Sequence, residues 1–444
     1  MQTTMPLRAV TAAALTFCFA ACSASPEPAQ EPLPEPAPTA AEVPFGERLL
    51  VADPDAATLH VFDLPSGDRV AEVKGITFAD HPGFVALPDG RVAFIDNATK
   101  ELVLMQVAGV ATPAVLKRAP IPGAPAHIAV DPAATMLAVS SAANEGDATG
   151  FMTLVSLADF KPTTVPMATG EPGVALGGEP LQLFHRNDSP PAIEAYAVAD
   201  LLAGRVEARS VAPIGNAPHG EVIAHRAGVM VSAAADGISV VRYEGSSLKA
   251  DKTIPYAVSG FEGGRAFYAR LSGDGRFLYS YLRDAGPTGT PWGEWRSDAY
   301  IVDLETLEAR RIALGKGLVY RLGTCASMAA FTQYHPDGDF LHVLDASGAS
   351  LAAKTVSVKV PLDRMTGAPD ATGDVWASDA FRITAMSPDC AYTFVTHGGD
   401  GVVSIVDTRA GKVVRKLEAG TPLKGGGYLL PVKVGAPLVD TIGR

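Results

Sequence analysis

The sequence predicts an all-β fold, a closed β-propeller of about seven to eight four-stranded blades whose first blade is closed by the C-terminal strand. Three observations predict it. Short runs rich in Val, Ile, Leu, Phe and Tyr alternate with turn signals every ~8–12 residues, and no segment sustains a helical period. A hairpin unit recurs as ALPDGRVAFIDN (86–97), LSGDGRFLYSYL (271–282), YHPDGDFLHVLD (334–345) and MSPDCAYTFVTH (386–397), three of them turning on Asp-Gly. A second unit, a strand ending in Asp followed by a turn and another strand, recurs as HVFDLPSGDRVAEV (60–73), YIVDLETLEARRIAL (300–314) and SIVDTRAGKVVRKLEAG (404–420).

Taken in chain order, residues 1–21 read as a signal peptide, with Arg8 as the positive region and Ala9–Ala21 as an apolar stretch too short to span a bilayer. Phe19-Ala20-Ala21-Cys22 looks like a bacterial lipobox, which would leave Cys22 diacylated. Cleavage near Ala21 as an ordinary signal peptide is the alternative. Ser23 after the cysteine favours outer-membrane sorting, so the expectation is a periplasmic protein held to the membrane by lipid alone. Residues 22–45 are Pro, Ala, Glu and Ser in the main, a composition that makes a tether and not a core.

Residues 46–444 form the propeller domain. Blade starts fall near 76, 119, 173, 213, 261, 319 and 379, and YLLPVKV (428–434) supplies the innermost strand of the blade begun by 47–75. Closure of that kind removes free sheet edges and suits a monomer. The insertion DAGPTGTPWGEWRS (284–297) is expected on the surface as a loop.

With 36 basic against 48 acidic residues and a net charge of −12, and with no basic cluster, the chain is not built for nucleic acid. Of the four cysteines, Cys18 leaves with the signal and Cys22 takes lipid. Cys325 and Cys390 remain, in GTCASMAAF and PDCAYTFVT, at comparable positions one blade apart. They are expected to form a disulfide between neighbouring blades, which requires Cα atoms within roughly 7 Å.

Candidate site residues come from aligning DHPGFVALPDG (80–90), PAHIAVDPAA (125–134) and PHGEVIAHRAG (218–228) on their turns. His81 and His219 are then equivalent, as are Gly83, His127 and Glu221 two residues later. Because side chains alternate along a strand, the polar residues share one face. Three imidazoles and a carboxylate from different blades would suit Zn²⁺. The competing reading has these histidines bonding carbonyls at strand entrances and sealing the channel. His185 is a further candidate, out of register with the others. His60 and His342 read as packing or surface residues, and His225, His335 and His397 as solvated loop residues. No Gly-x-Ser-x-Gly elbow, HExxH or phosphate loop is present, so no enzyme is expected.

RLLVADPDAATLHVFDLPSGDRVAEV (48–73), PAHIAV (125–130) and PHGEVIAHRAGVMVSAAADGISVV (218–241) resemble the periplasmic zinc metallochaperones of the AztD type. The resemblance implies a propeller that passes zinc to the solute-binding protein of an importer, with His127 and His219 at positions matching zinc ligands. A histidine-rich loop typical of that family is missing, and GEPLQLFHRND (178–188) stands where it has a His-His-Gly strand, leaving Gln182 or His185 to substitute. The alternative is a scaffold similar to YVTN-repeat or quinoprotein-like propellers, binding protein or glycan in the envelope. A propeller lactonase is a third class.

Overall fold

The structure is a computed structural model that describes residues 46–443 apart from 65, 79–82, 143–148, 168–172 and 346–349. The signal peptide, Cys22, the tether and His81 lie outside the described residues. Eight sheets follow one another around a channel. Blade 1 takes its innermost strand, Tyr428–Lys433, from the far end of the chain, where it pairs antiparallel with Glu47–Asp53. The innermost strands of blades 2 to 8 are Val85–Ala86, Ala124–Val130, Gly173–Gly177, His219–Ala224, Ala269–Leu271, Leu318–Thr324 and Thr384–Met386. Eight blades with this closure are what the repeats predict.

Burial falls from the middle of each blade to its rim. Middle strands such as Arg91–Asp96 and Val402–Asp407 are buried almost throughout because neighbouring blades cover both of their faces. Outer strands such as Thr355–Leu362 alternate, with Val356, Val358 and Val360 turned inward between exposed neighbours. In six blades the outer strand meets its neighbour through a register shift, which adds the local twist a propeller sheet needs.

The two repeated sequence units have local physical causes. The Asp that ends a third strand bonds the turn beyond it: Asp407 Oδ1 accepts from the amides of Arg409 at 3.1 Å and Ala410 at 2.8 Å, and Asp303 Oδ1 accepts from Glu305 at 2.9 Å. In the Asp-Gly hairpins the glycine takes the left-handed region, with φ 83° at Gly90 and 69° at Gly275. Cys390 fills that position in MSPDCAY with φ 62°, and it is bonded to Cys325 of blade 7 with Cα atoms 5.4 Å apart.

Two features depart from the sequence reading. The insertion at 284–297 is not a plain surface loop: Trp292 is buried against Tyr334, with ring centroids 5.9 Å apart, and Trp295 lies near Trp376 at 6.4 Å. The chain also continues past its closing strand. Ile442 and Gly443 pair with Ala129 and Ile128, which makes blade 3 five-stranded. A Cβ on Gly443 would lie 2.5 Å from Ile128 and 2.7 Å from Val85, so only glycine fits between blades 2 and 3 there. No helix among the described residues is long and apolar enough to cross a membrane.

Candidate functional site

Three innermost strands carry a register shift near their starts, between Pro125 and His127, between His219 and Glu221, and between Val319 and Leu322. Such shifts re-aim side chains. In blade 7 the shifted residues are Tyr320 and Arg321.

The alignment of His127 with Glu221 holds in space. Their strands sit in blades 3 and 5, yet His127 Nδ1 lies 3.5 Å from Glu221 Oε1. Gly173, at the start of the blade 4 strand between them, makes the room: a Cβ there would meet Glu221 Oε2 at 2.5 Å and Arg186 Nε at 2.8 Å. Arg186 Nε donates to Glu221 Oε2 at 3.1 Å, and its Nη1 donates to Pro218 O at 2.9 Å and to Asp188. The group is therefore an ion-paired cluster joining three blades.

The other candidates go elsewhere. His219 bonds Phe267 O of blade 6 through Nδ1 at 2.9 Å and meets the Phe267 ring edge-on. His185 lies in the second strand of blade 4, Gln182–Asp188, and not in an innermost one. It is fully buried with Nδ1 3.3 Å from Glu194 Oε2, which also accepts from Tyr196 Oη at 2.6 Å. Among the described residues no three His, Cys, Asp or Glu side chains converge as a metal-binding group. Of the histidines read as solvated, His397 is buried and His225 and His335 are half-buried. His397 bonds Ser404 Oγ at 2.7 Å, His335 bonds Gly293 O at 2.9 Å and His225 bonds Thr441 Oγ1 at 3.2 Å. Burial pushes His225, His342 and His397 each down to about 4.

The channel itself holds a cavity of about 260 Å³. The innermost strands of blades 1, 2, 6, 7 and 8 line one side and residues of the C-terminal tail the other. The tail enters from the hairpin end, where the Gly435 amide donates to Pro88 O at 2.7 Å, and it runs along the channel to Gly443. Leu, Val, Ile, Ala and Met make half of the wall. Arg270, Arg321, Lys433 and Asp440 are its charged lining residues, and Tyr268 and Tyr428 line it beside them. Arg270 is paired with Asp440 of the tail and donates to Tyr268 Oη at 2.6 Å. None of these was singled out from sequence. The signal available was an arginine inside an apolar innermost strand, Leu318-Val319-Tyr320-Arg321-Leu322.

Among solved structures, apo AztD from Citrobacter koseri superposes with a TM-score of 0.60 at 13% identity, covering 90% of this chain and 98% of that one. The fold resembles that of AztD. A second crystal structure of Citrobacter koseri AztD gives 0.61 at 13% identity, over 87% of this chain and 97% of the other. The dihydro-heme d1 dehydrogenase NirN, in complex with DHE, gives 0.61 at 12%, over 91% of this chain and 78% of its own. At such identities the likeness is one of fold. No protein-family model matches the chain, and no curated protein matches it.

Proposed function

We propose that this protein is an exported binding propeller that takes a small ligand into its central channel. The observation that carries the reading is the cavity of about 260 Å³, mostly apolar, with a few convergent polar groups where innermost strands face the axis. Guanidiniums, phenols and threonine hydroxyls recognise charge and shape, which supports a binding role. The lipobox at Cys22 and the following tether support anchoring at the periplasmic face of the outer membrane. Mass spectrometry of the membrane fraction should find acyl mass on Cys22, and unchanged fractionation of Cys22→Ser would contradict it.

Ala86 lines the cavity and keeps part of its surface open. Ala86→Trp should therefore fill the channel from blade 2. The purified protein, exposed to an envelope small-molecule extract, washed and denatured, should release a compound that the Ala86→Trp variant does not. Equal release from both would contradict the channel as the site.

A second reading, zinc as cargo passed to a periplasmic solute-binding protein, is favoured by the AztD-like fold and by the approach of His127 to Glu221. The donor chemistry fits it poorly. Glu221 already carries a guanidinium on its other oxygen, and His219 faces Phe267. Competition against a zinc-sensitive chelating dye, wild type against the His127→Ala, His219→Ala double variant, decides it. Tight zinc binding lost in the double variant would establish this reading.

A further inference from the structure

We infer that the channel ligand is an oxyanion, a carboxylate or phosphate on a small apolar body, bound through the guanidinium of Arg321. The inference rests on the channel reading above.

The buried arginines among the described residues are matched to carboxylates, Arg48 to Asp63, Arg186 to Glu221, Arg311 to Asp298 and Arg382 to Asp339, and half-buried Arg270 beside the same cavity is matched to Asp440. Arg321 differs. It forms no ion pair among the described residues, and its guanidinium lies 4.9 Å from the ring centroids of both Tyr268 and Tyr320. The side chains stacked nearest it, Tyr268 and Tyr320, are phenols and not carboxylates. A guanidinium cannot shed its proton to escape that setting. The surface it retains faces the cavity.

The same side of the mouth continues the pattern. Arg283 stands 4.9 Å from the Trp376 ring and 4.8 Å from the Phe267 ring, and Arg265 is 4.8 Å from Phe267. Neither forms an ion pair among the described residues. Trp376 in turn contacts Tyr320, with centroids 5.9 Å apart, so the arginines and rings form one path to Arg321. In a chain of net charge −12, three arginines that form no ion pair among the described residues, linked through Phe267, Trp376 and Tyr320, gather positive charge that favours an approaching anion. Arg is the side chain whose planar fork matches carboxylate and phosphate. Asp440, reaching into the cavity from the tail, is spent on Arg270 and leaves Arg321 for the ligand.

The test is titration calorimetry of the purified protein at low salt with benzoate and phenyl phosphate, and with benzamide and phenol as uncharged counterparts. At least one acid should bind one to one, at least tenfold more tightly than its counterpart, and the two acids together tell carboxylate from phosphate. Arg321→Gln should lose at least tenfold of that affinity, and Arg321→Lys should recover part of it. Because Arg321 forms no ion pair among the described residues, Arg321→Gln should melt no lower than wild type, whereas a merely structural arginine would destabilise when removed. Equal binding of acids and counterparts, no binding of either acid, or unchanged affinity in Arg321→Gln would overturn the assignment. If the neutral compounds bind and Ala86→Trp excludes them, the channel reading survives and the anion falls. If no binding responds to Ala86→Trp, the channel reading falls with it.

Discussion

Glu221 of blade 5 reaches past blade 4 to within 3.5 Å of His127 on blade 3, and the approach depends on a glycine at position 173. The contact ties three blades through one carboxylate, with Arg186 as its cation. Breaking a buried pair leaves a charge without compensation, so Glu221→Gln should cost on the order of 3–5 kcal/mol in denaturant unfolding. Gly173→Ala should cost roughly 1–3 kcal/mol by steric displacement of the same carboxylate. If both variants unfold at the wild-type midpoint, the cluster does not join the blades.

The His397 imidazole is buried, faces Arg382 and Lys416, and is pushed down to about 4. In the unfolded chain a histidine titrates near ~6.5. Between those values the unfolded state binds the extra proton, so stability falls as pH drops through ~6.5 and this loss is complete near 4. His397→Gln keeps a donor for Ser404 and removes the titration. The variant should lose less melting temperature than wild type between pH 6.5 and 4.5, a difference on the order of 2–3 kcal/mol. Parallel pH profiles would show that His397 titrates normally.

The Cys325–Cys390 bridge closes a loop with a sequence separation of 65, and its removal should cost about 2–4 kcal/mol. Cys390 also sits at φ 62°, where glycine is at ease. In a Cys325→Ala background, Cys390→Gly should therefore be more stable than Cys390→Ala by about 1 kcal/mol. Equal stability of the two would mean that the turn relaxes once the bridge is gone.

The architecture was legible in the sequence because its signals are local. An Asp at a strand end bonds the next amides, and an Asp-Gly turn sets a hairpin, wherever the blade sits. The His127–Glu221 register was legible for the same reason, since both are counted from neighbouring turns. What lay beyond sequence was contact between blades. Nothing local says that Arg186 faces Glu221 while its neighbour His185 faces Glu194, or that His219 turns to Phe267. Nor does the stretch after YLLPVKV show that the tail enters the channel and lends Asp440 to Arg270, or that Arg321 stacks on Tyr268 and Tyr320 with no ion pair among the described residues.

The tail carries its own expectation. Replacing Gly443 by Val would set a side chain against Ile128 and Val85, and should unseat the fifth strand of blade 3 while leaving the eight-bladed ring intact. Hydrogen exchange should then rise at Ile128 and Val130, whose amides face the added strand, alone among the innermost strands. Protection unchanged at those amides would show that the strand does not depend on this glycine.

The most direct measurement of the central claim is an anomalous difference map from crystals of the protein soaked with para-bromobenzoate. The account predicts a bromine peak inside the channel, with the carboxylate against Arg321 and the ring toward the innermost strands of blades 1 and 2. A peak confined to the outer surface, or none in the channel at a concentration that saturates the protein in solution, would contradict it.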